Sequence, residues 1–304
     1  MSFAEQERAL FDLLFDAPLR EKFSKNPRVA LQDYALNADE LDDFDTINPH
    51  ALALDARVRV DLILAQWCRS LPLTFSLMSS LVGGLDVVKS LVDSQTMNQA
   101  PNDRIVVFAT RLRQALIAKP MISLAEMSLI IAVLDAELGM ASTSRLLKRS
   151  VVTEQFIEQA PTHVDEHWLS QPIRLAPYVS AAIIPLSYNL LKKNLCPYLG
   201  SELWRHLNKT PLLAVERQRL FQQADTRLLV SRATVSQLSA CEPSVDHITA
   251  ELTEGFASLF EYVNGSMSVT EILLQLKQLG ANEALLQGVE DGFRQLLVGG
   301  MVVA

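Results

Sequence analysis

FASLFEYVNGSMSVTEIL, residues 256–273, decides the fold of the C-terminal part of this 304-residue chain. Its apolar side chains recur at helical spacing and predict a helix with one buried stripe, formed by Phe256, Leu259, Phe260 and Val263. Gly265 can adopt the left-handed conformation that ends such a helix. Ser268 and Glu271 have the spacing of a capping box, which predicts that a second helix begins there.

The flanking residues complete a module that spans 226–304. Three β-prone runs precede the quoted stretch, at Arg227–Ser231, Ser236–Cys241 and His247–Leu252. A third helix is expected after Gly280, with Asn282 as its N-cap, and Met301–Ala304 is expected to be extended. Three strands followed by three helices and an edge strand is a winged-helix-like order, which suits binding of either DNA or a peptide strand.

Charge favours the peptide over nucleic acid. The chain has a net charge of −8 and a pI near 5.2. The third helix, which a DNA-binding winged helix inserts into the major groove, carries three acidic side chains against Arg294 as its basic one: Glu283, Glu290 and Asp291. Phosphate binding requires several Lys or Arg side chains on that face. No nucleic-acid partner is therefore expected.

The quoted stretch resembles the PqqD-like peptide-recognition module, the RiPP recognition element of ribosomal peptide natural-product pathways. It shares that family's apolar helix, polar turn with Gly, and Ser-Val-x-Glu-Ile helix start. In the family a leader peptide adds a strand beside the third strand and packs against the third helix. The resemblance implies a groove here between His247–Leu252 and Glu283–Leu297. Its candidate residues are His247, Ile248, Thr249, Ala250, Leu286, Val289, Glu290 and Phe293. Alternatively, these segments only pack against the rest of the chain.

The remainder of the chain predicts an all-helical domain at 1–207, with a small helical subdomain at 1–45, and a linker at 208–225. The fold class is therefore mainly α with a C-terminal α+β domain. The predicted helices include Phe3–Asp16, Ala51–Trp67, Arg104–Ala118, Ser123–Gly139, Thr143–Gln159 and a stretch with several prolines over Pro172–Leu195.

Two further resemblances concern the helical part. Residues 19–40 resemble the small helical domain of the accessory subunit of ring-opening dioxygenases. The motifs Arg69-Ser-x-Pro72-Leu73 and Gly83-Gly84-Leu85, with the domain order, resemble partner proteins of multinuclear non-haem iron oxidases (MNIO) in ribosomal peptide pathways. This implies a non-catalytic subunit, without a cofactor of its own, that forms a heterodimer with the iron enzyme. The subunit presents a precursor peptide for modification, often at Cys. Alternatively, Pro72 and the two glycines only shape a helix break.

A competing function is a metal-dependent hydrolase. His163, Glu166 and His167 match the H-x-x-E-H pattern, in which two histidines four residues apart on a helix share a zinc ion and Glu is the base. The motif lies between Pro161 and Pro172, which leaves room for about two helical turns. A solvated acidic loop is the expected alternative.

The three cysteines are scattered, at Cys68, Cys196 and Cys241, and show neither a disulfide framework nor zinc spacing. Charged residues interrupt the first apolar positions, so no signal peptide is expected and a cytoplasmic location is predicted. The longest uncharged stretch, Leu175–Leu191, contains two prolines and predicts a buried segment or partner surface and no membrane span.

Overall fold

The computed structural model describes residues 3–118, 123–152, 167–210, 225–237 and 244–304. The chain is mostly helical, with two three-stranded antiparallel sheets in its C-terminal region. The helices are α1 Phe3–Phe15, α2 Ala17–Lys25, α3 Pro27–Ala30, α4 Ala38–Asp45, α5 Pro49–Trp67, α6 Pro72–Ser79, α7 Gly84–Ser90, α8 Ser94–Met97, α9 Arg104–Ala118, α10 Leu124–Val152, α11 Tyr188–Leu195, α12 Gly200–Lys209, α13 Val269–Gln278 and α14 Glu283–Val298. The strands are β1 Pro172–Leu175, β2 Val179–Ile184, β3 Arg227–Gln237, β4 Ser244–Thr253, β5 Asn264–Ser268 and β6 Val302–Val303. Short 3₁₀ helices cover Trp168–Ser170 and Glu254–Tyr262.

The chain divides into two compact units. The first, called the helical unit, combines Met1–Ser123 with Cys196–Ala214. The second, called the sheet unit, combines Leu124–Leu195 with Val215–Ala304. The predicted limits of 1–207 and 226–304 do not coincide with this division, because α10, β1 and β2 pack with the C-terminal strands and α11 is hydrogen-bonded to β4. Most of the predicted linker, 211–224, lies outside the described residues.

The N-terminal helices of the helical unit enclose a small core of their own. Leu13, Phe23, Phe44 and Ala56 are buried together there. Helix α4 begins with a capping box: the Asn37 side chain accepts a bond from the Glu40 amide, and the Glu40 carboxylate accepts one from the Asn37 amide. These two bonds satisfy amides that have no partner inside a helix.

Aromatic rings hold the second half of the helical unit. Phe75 lies edge-on to both Phe108 and Trp204, and Trp67 also contacts Phe108, with ring centroids 4.9–5.9 Å apart. Such tilted arrangements are the favoured geometry of aromatic pairs. They bring α5, α6, α9 and α12 into one core.

The sheet unit is built on β3, the central strand of the sheet β2–β3–β4. Side chains on a strand alternate between its two faces. On one face, β3 contributes Leu228 and Val230 to a core that also contains Ala250 and Leu252 of β4. The opposite face, which includes Leu229 and Ser231, packs against α10. Both faces of the central strand are therefore covered.

The core on the first face is completed by the 3₁₀ helix Glu254–Tyr262, α13 and α14. Phe256 lies edge-on to Phe293 of α14, with ring centroids 4.8 Å apart. The second sheet has the order β5–β1–β6, so β1 is its central strand and pairs with two strands that lie close to the C-terminus. Pro172 is the first residue of β1, a position in which a strand tolerates proline.

Three sequence predictions are wrong in the sheet unit. The stretch Pro172–Leu195 is helical only in α11, because β1 and β2 find partners far along the chain. Strand β3 extends the predicted strand Arg227–Ser231 to Gln237 and so includes the start of the predicted run Ser236–Cys241, since Ala233, Thr234 and Val235 continue the pairing with β4. The register shifts between Val235 and Gln237, and residues 238–241 lie outside the described residues. Leu124–Val152 forms one helix, α10, in place of the two predicted at Ser123–Gly139 and Thr143–Gln159, and residues 153–159 of the second lie outside the described residues. The absence of a Cβ at Gly139 explains its place in that helix: a Cβ there would lie 3.1 Å from the Ser180 Cβ on β2.

Two helix starts predicted for the C-terminal module are confirmed. The Ser268–Glu271 capping box opens α13 and Asn282 caps α14. Gly280 adopts a left-handed φ of 91° after α13, and Val302–Val303 is extended. The α-helical spacing predicted over residues 256–263 is wrong, because Glu254–Tyr262 forms a 3₁₀ helix. Gly265 has the predicted left-handed φ but lies inside β5 and does not end that helix.

Two glycines of α14 make a matched test of the packing of Phe256 against this helix. A Cβ at Gly292 would lie 2.5 Å from Cε2 of Phe256, whereas one at Gly288 meets nothing within 4 Å. We expect Gly292→Ala to lower the free energy of unfolding by about 1–3 kcal/mol, through overpacking. We expect Gly288→Ala to raise it by about 0.5–1 kcal/mol, because Ala is the better helix former. Urea denaturation of both variants measures the difference, and equal effects would contradict the packing of Phe256 on Gly292.

Candidate functional site

The implied groove maps onto β4 and α14, which pack against each other in the sheet unit. Strand alternation divides the four candidate residues of β4 into two pairs. Ile248 and Ala250 lie on the face that carries α14, and His247 and Thr249 lie on the face that carries α10. The structure therefore does not bring all four side chains into one groove. Ala250 is itself buried in the core, and Ile248 remains 44% exposed.

The four candidate residues of α14 also differ in their surroundings. Phe293 and Val289 are buried core residues, and Leu286 is half-buried. Glu290 pairs with Arg294 one helical turn on, at 2.7 Å between Oε1 and Nη2. With Phe293 only 1% exposed, its side chain supports the fold of the groove and has no surface to offer a ligand.

His247 joins β4 to its neighbours on the α10 face. Its Nε2 lies 2.7 Å from the Ser144 hydroxyl of α10, and its Nδ1 lies 2.8 Å from the Ser231 hydroxyl of β3. A neutral imidazole has one donor and one acceptor nitrogen, and hydroxyl groups satisfy either role. Burial lowers the pKa of His247 below its ordinary value, the Lys192 ammonium lowers it further, and Asp246 has a smaller opposite effect. His247 is therefore held neutral as a polar link between α10 and the sheet.

The Ser144–His247 distance is also that of a nucleophile and its general base. In a catalytic triad, however, a carboxylate on the second imidazole nitrogen stabilises the imidazolium formed during reaction. The second nitrogen of His247 meets the Ser231 hydroxyl, which carries no charge to stabilise an imidazolium. The geometry supports a structural role and no acyl transfer at this position.

Strand β4 is one of the two edge strands of the sheet β2–β3–β4. Within the described residues, β4 pairs along its length with β3 and has no strand on its other side. An edge strand presents unpaired N–H and C=O groups that can pair with another chain. The first turn of α11 lies beside the C-terminal half of β4: the Asn189 amide donates to the Glu251 carboxylate, and the Thr249 hydroxyl donates to the Asn189 side chain.

One residue of this region escaped the sequence analysis. Arg232 lies on β3, directly opposite Ile248 of β4 and Val179 of β2, on the face that carries α14. Arg232 was not recognised as a candidate because the sequence predicts that the strand ends at Ser231. A charged residue at an inward-facing position of a strand without turn residues was the available signal.

The proposed metal motif cannot be placed, because His163 and Glu166 lie outside the described residues. The described residue of the motif, His167, is exposed. Across the described ranges, no group of three His, Cys, Asp or Glu side chains could hold a metal ion. Cys68 is buried and Cys196 is half-buried with its Sγ 3.6 Å from the Ser76 hydroxyl, and Cys241 is not described.

A small cavity lies on the α10 face, between α10 and strands β2 and β3. Asp135 and Gly139 of α10 and Ser180 and Ser231 of the sheet line it. Its volume of about 10 Å³ matches roughly one water molecule. It is therefore too small for a substrate.

No family model matches the chain, and neither curated proteins nor solved structures yield a match. None of the helices in the part of the chain that the structure describes combines the length and apolar character needed to cross a membrane.

The neutral state of His247 predicts an acid-sensitive fold. A histidine with a lowered pKa in the folded state binds a proton more readily when the protein unfolds. Its contribution to stability is therefore complete above the unfolded pKa, near 6.5, and is lost as the pH falls below it. Between pH 7.5 and 5.5, we expect the Tm of the unaltered chain to fall more steeply than that of His247→Gln, which keeps one donor and one acceptor. Parallel Tm profiles would contradict the buried neutral imidazole.

Proposed function

We propose that this chain is a non-catalytic substrate-recognition subunit that binds a ribosomally made precursor peptide as an added strand on β4. It presents that peptide to an iron-dependent oxidase of the MNIO class, which carries the iron and performs the modification. The observation that carries the proposal is the ten-residue strand β4 beside α14, whose outer edge pairs with no other strand among the described residues. Backbone hydrogen bonds along such an edge give affinity, and side-chain pockets give selectivity.

The order of elements supports the comparison with PqqD-like modules. In chain order, β2, β3 and β4 form one antiparallel sheet and are followed by the 3₁₀ helix, α13 and α14. This is the three-strand, three-helix order that the resemblance implies, although its first strand comes from residues 179–184. We propose a winged-helix-like arrangement on this basis, with β4 as the strand that receives the peptide.

Of the two edges of this sheet, β4 suits a peptide better than β2. Strand β4 has ten residues and β2 has six, so β4 offers a longer row of backbone partners. The exposed Ile248 adds apolar surface on the face where α14 packs. The acidic side chains of α14, Glu283, Glu290 and Asp291, argue against nucleic acid on the same surface.

Helix α5 of the helical unit offers a surface for the oxidase. Its buried face carries Leu52, Ala56, Leu64 and Trp67. On the opposite face, Leu54, Val58 and Leu62 recur every four residues and are exposed. A helix that is apolar on both faces usually has both faces covered. We therefore assign this second face, the α5 stripe, to the partner enzyme.

Joining the two surfaces on one chain gives the complex its advantage. A peptide held by β4 is tethered through this chain to an enzyme held by the α5 stripe, so their encounter becomes intramolecular. Effective concentrations for such tethered reactants reach the order of mM. The chain needs no catalytic group of its own for this role.

Ile248→Lys tests peptide binding at β4. The probe is a phage-displayed library of random 12-residue peptides, selected on the full chain, and affinity is measured by fluorescence anisotropy of a selected peptide. A lysine on an edge strand opposes strand addition. We expect at least a ~10-fold loss of affinity, which corresponds to about 1.4 kcal/mol.

The matched control is Ile183→Lys, because Ile183 lies on the same face at the β2 edge and is similarly exposed, at 47% against 44% for Ile248. Unchanged affinity is expected there. A loss with Ile183→Lys and none with Ile248→Lys would move the peptide to β2. Selection of no peptide at all would contradict peptide binding.

A triple variant tests the α5 stripe. We expect co-expression with an MNIO-class iron oxidase from the same organism to yield a stable heterodimer with the unaltered chain. Leu54→Ser, Val58→Ser and Leu62→Ser together should abolish co-purification, because they remove the apolar contact area. The control changes Val29, Val106 and Ile117 to Ser, which are exposed apolar residues elsewhere in the helical unit. Equal co-purification of both triple variants would contradict the assignment.

A further inference from the structure

Arg232 occupies an unusual position on the central strand. It follows Leu228 and Val230 along the face of β3 that builds the core with α14. Its cross-strand neighbours are Ile248 on β4 and Val179 on β2, both apolar. The position is one that the pattern of the sheet would otherwise give to an apolar side chain.

The side chain of Arg232 is 6% exposed and has no ion-pair or hydrogen-bond partner in the described part of the chain. Its Nε is buried without an acceptor. Burial lowers the pKa of the guanidinium from its ordinary value. Arginine nevertheless keeps its charge at neutral pH, so the sheet unit holds a largely buried cation with no carboxylate partner among the described residues. Leaving a buried charge uncompensated is strongly destabilising.

The acidic residue of β4 on this face, Asp246, does not supply the missing partner. Asp246 faces Thr234, one step further along the same face, and its side chain is exposed. Its backbone carbonyl accepts a bond from the Thr234 hydroxyl. The pKa shift of Arg232 has burial as its cause, with no contribution from a carboxylate. A site that is cationic, buried and without a partner suits an anion that arrives with a ligand.

We propose that Arg232 binds the carboxylate of a Glu or Asp side chain on the peptide that adds to β4. This inference rests on the proposed function. Neighbouring strands lie about 4.8 Å apart, so an added strand lies roughly 10 Å from β3, a distance that an Arg side chain and an acidic side chain span together. The planar guanidinium pairs with carboxylate through two parallel hydrogen bonds.

Such a contact fixes the register of the bound peptide. A slip of one residue moves every side chain of a strand to the other face, so a carboxylate one position away would point toward α10 and away from Arg232. The net charge of −8 opposes an extended acidic tract in the ligand. The site therefore selects one acidic residue at a defined position in an otherwise neutral or basic segment.

The binding experiment selects the same random 12-residue library on the unaltered full chain and on three variants: Arg232→Met, Arg232→Lys and Arg227→Met. Arg227 is the matched control, since it lies on the same strand and pairs with Asp225. We expect Glu or Asp at one fixed position in peptides selected on the unaltered chain and on Arg227→Met, and no such preference on Arg232→Met. Arg232→Lys should keep a weaker preference, because lysine keeps the positive charge but cannot donate two parallel hydrogen bonds to one carboxylate.

A double-mutant cycle then measures the contact. For a selected peptide, changing its acidic residue to the amide should weaken binding to the unaltered chain at least ~10-fold and binding to Arg232→Met by less than about twofold. Equal losses for both chains would overturn the proposal and leave peptide binding at β4 intact. Selection of peptides without a preferred acidic position on the unaltered chain would likewise overturn the proposal for Arg232 and leave peptide binding at β4 intact. If no peptide is selected, the proposed function fails and this inference fails with it.

The stability of the free chain gives an independent outcome. Because the guanidinium is uncompensated, Arg232→Met should raise the Tm of the peptide-free chain by about 2–8 °C. A merely structural arginine predicts the opposite. A lower Tm for Arg232→Met would show that the guanidinium already has a partner in the free fold, and would overturn the proposal.

Discussion

The sheet unit depends on β3 being buried on both faces. One face meets α10 and the other meets α13 and α14, so β3 joins three layers. Its own partners come from opposite directions in sequence, β2 before it and β4 after it. The pairing with β2 requires closure of a long loop, whose entropy the buried apolar contacts offset. Weakening β3 would therefore separate α10 from the C-terminal helices, while the helical unit keeps its own core.

Features that depend on a few neighbouring residues could be predicted from the sequence. The capping boxes at Asn37 and Ser268 involve partners three residues apart, and their geometry follows from local chemistry. The predominance of helix and the presence of strands near the C-terminus could also be predicted from the sequence. Strands β1 and β2 were missed because their partners lie far along the chain, and their own residues, with Ala181 and Ala182 between prolines, do not alternate clearly. Non-local pairing overrides such weak local preference.

In the candidate site, too, the elements could be predicted, and the directions of their side chains could not. The resemblance pointed to β4 and the third helix, and these do pack together. It did not give the direction of each side chain, which depends on where β4 lies between two layers. His247 consequently meets α10, and Phe293 fills the core. Arg232 could not be recognised while its strand was expected to end one residue earlier, since only a continuous β3 places it opposite Ile248.

An unpaired edge strand promotes aggregation of a protein without its ligand, and a buried charge without a partner lowers its stability. Edges invite aggregation and are usually shortened, covered or charged. Buried charges are usually paired, and an apolar side chain at such a site is often more stabilising. Here the two costs lie one strand apart, on β4 and at Arg232. The proposed ligand, an extended peptide with a carboxylate on the side of α14, would remove both costs at once. Part of the stability of the complex would then come from relief of costs that the free chain already bears, which is how a binding site can be selective without being catalytic.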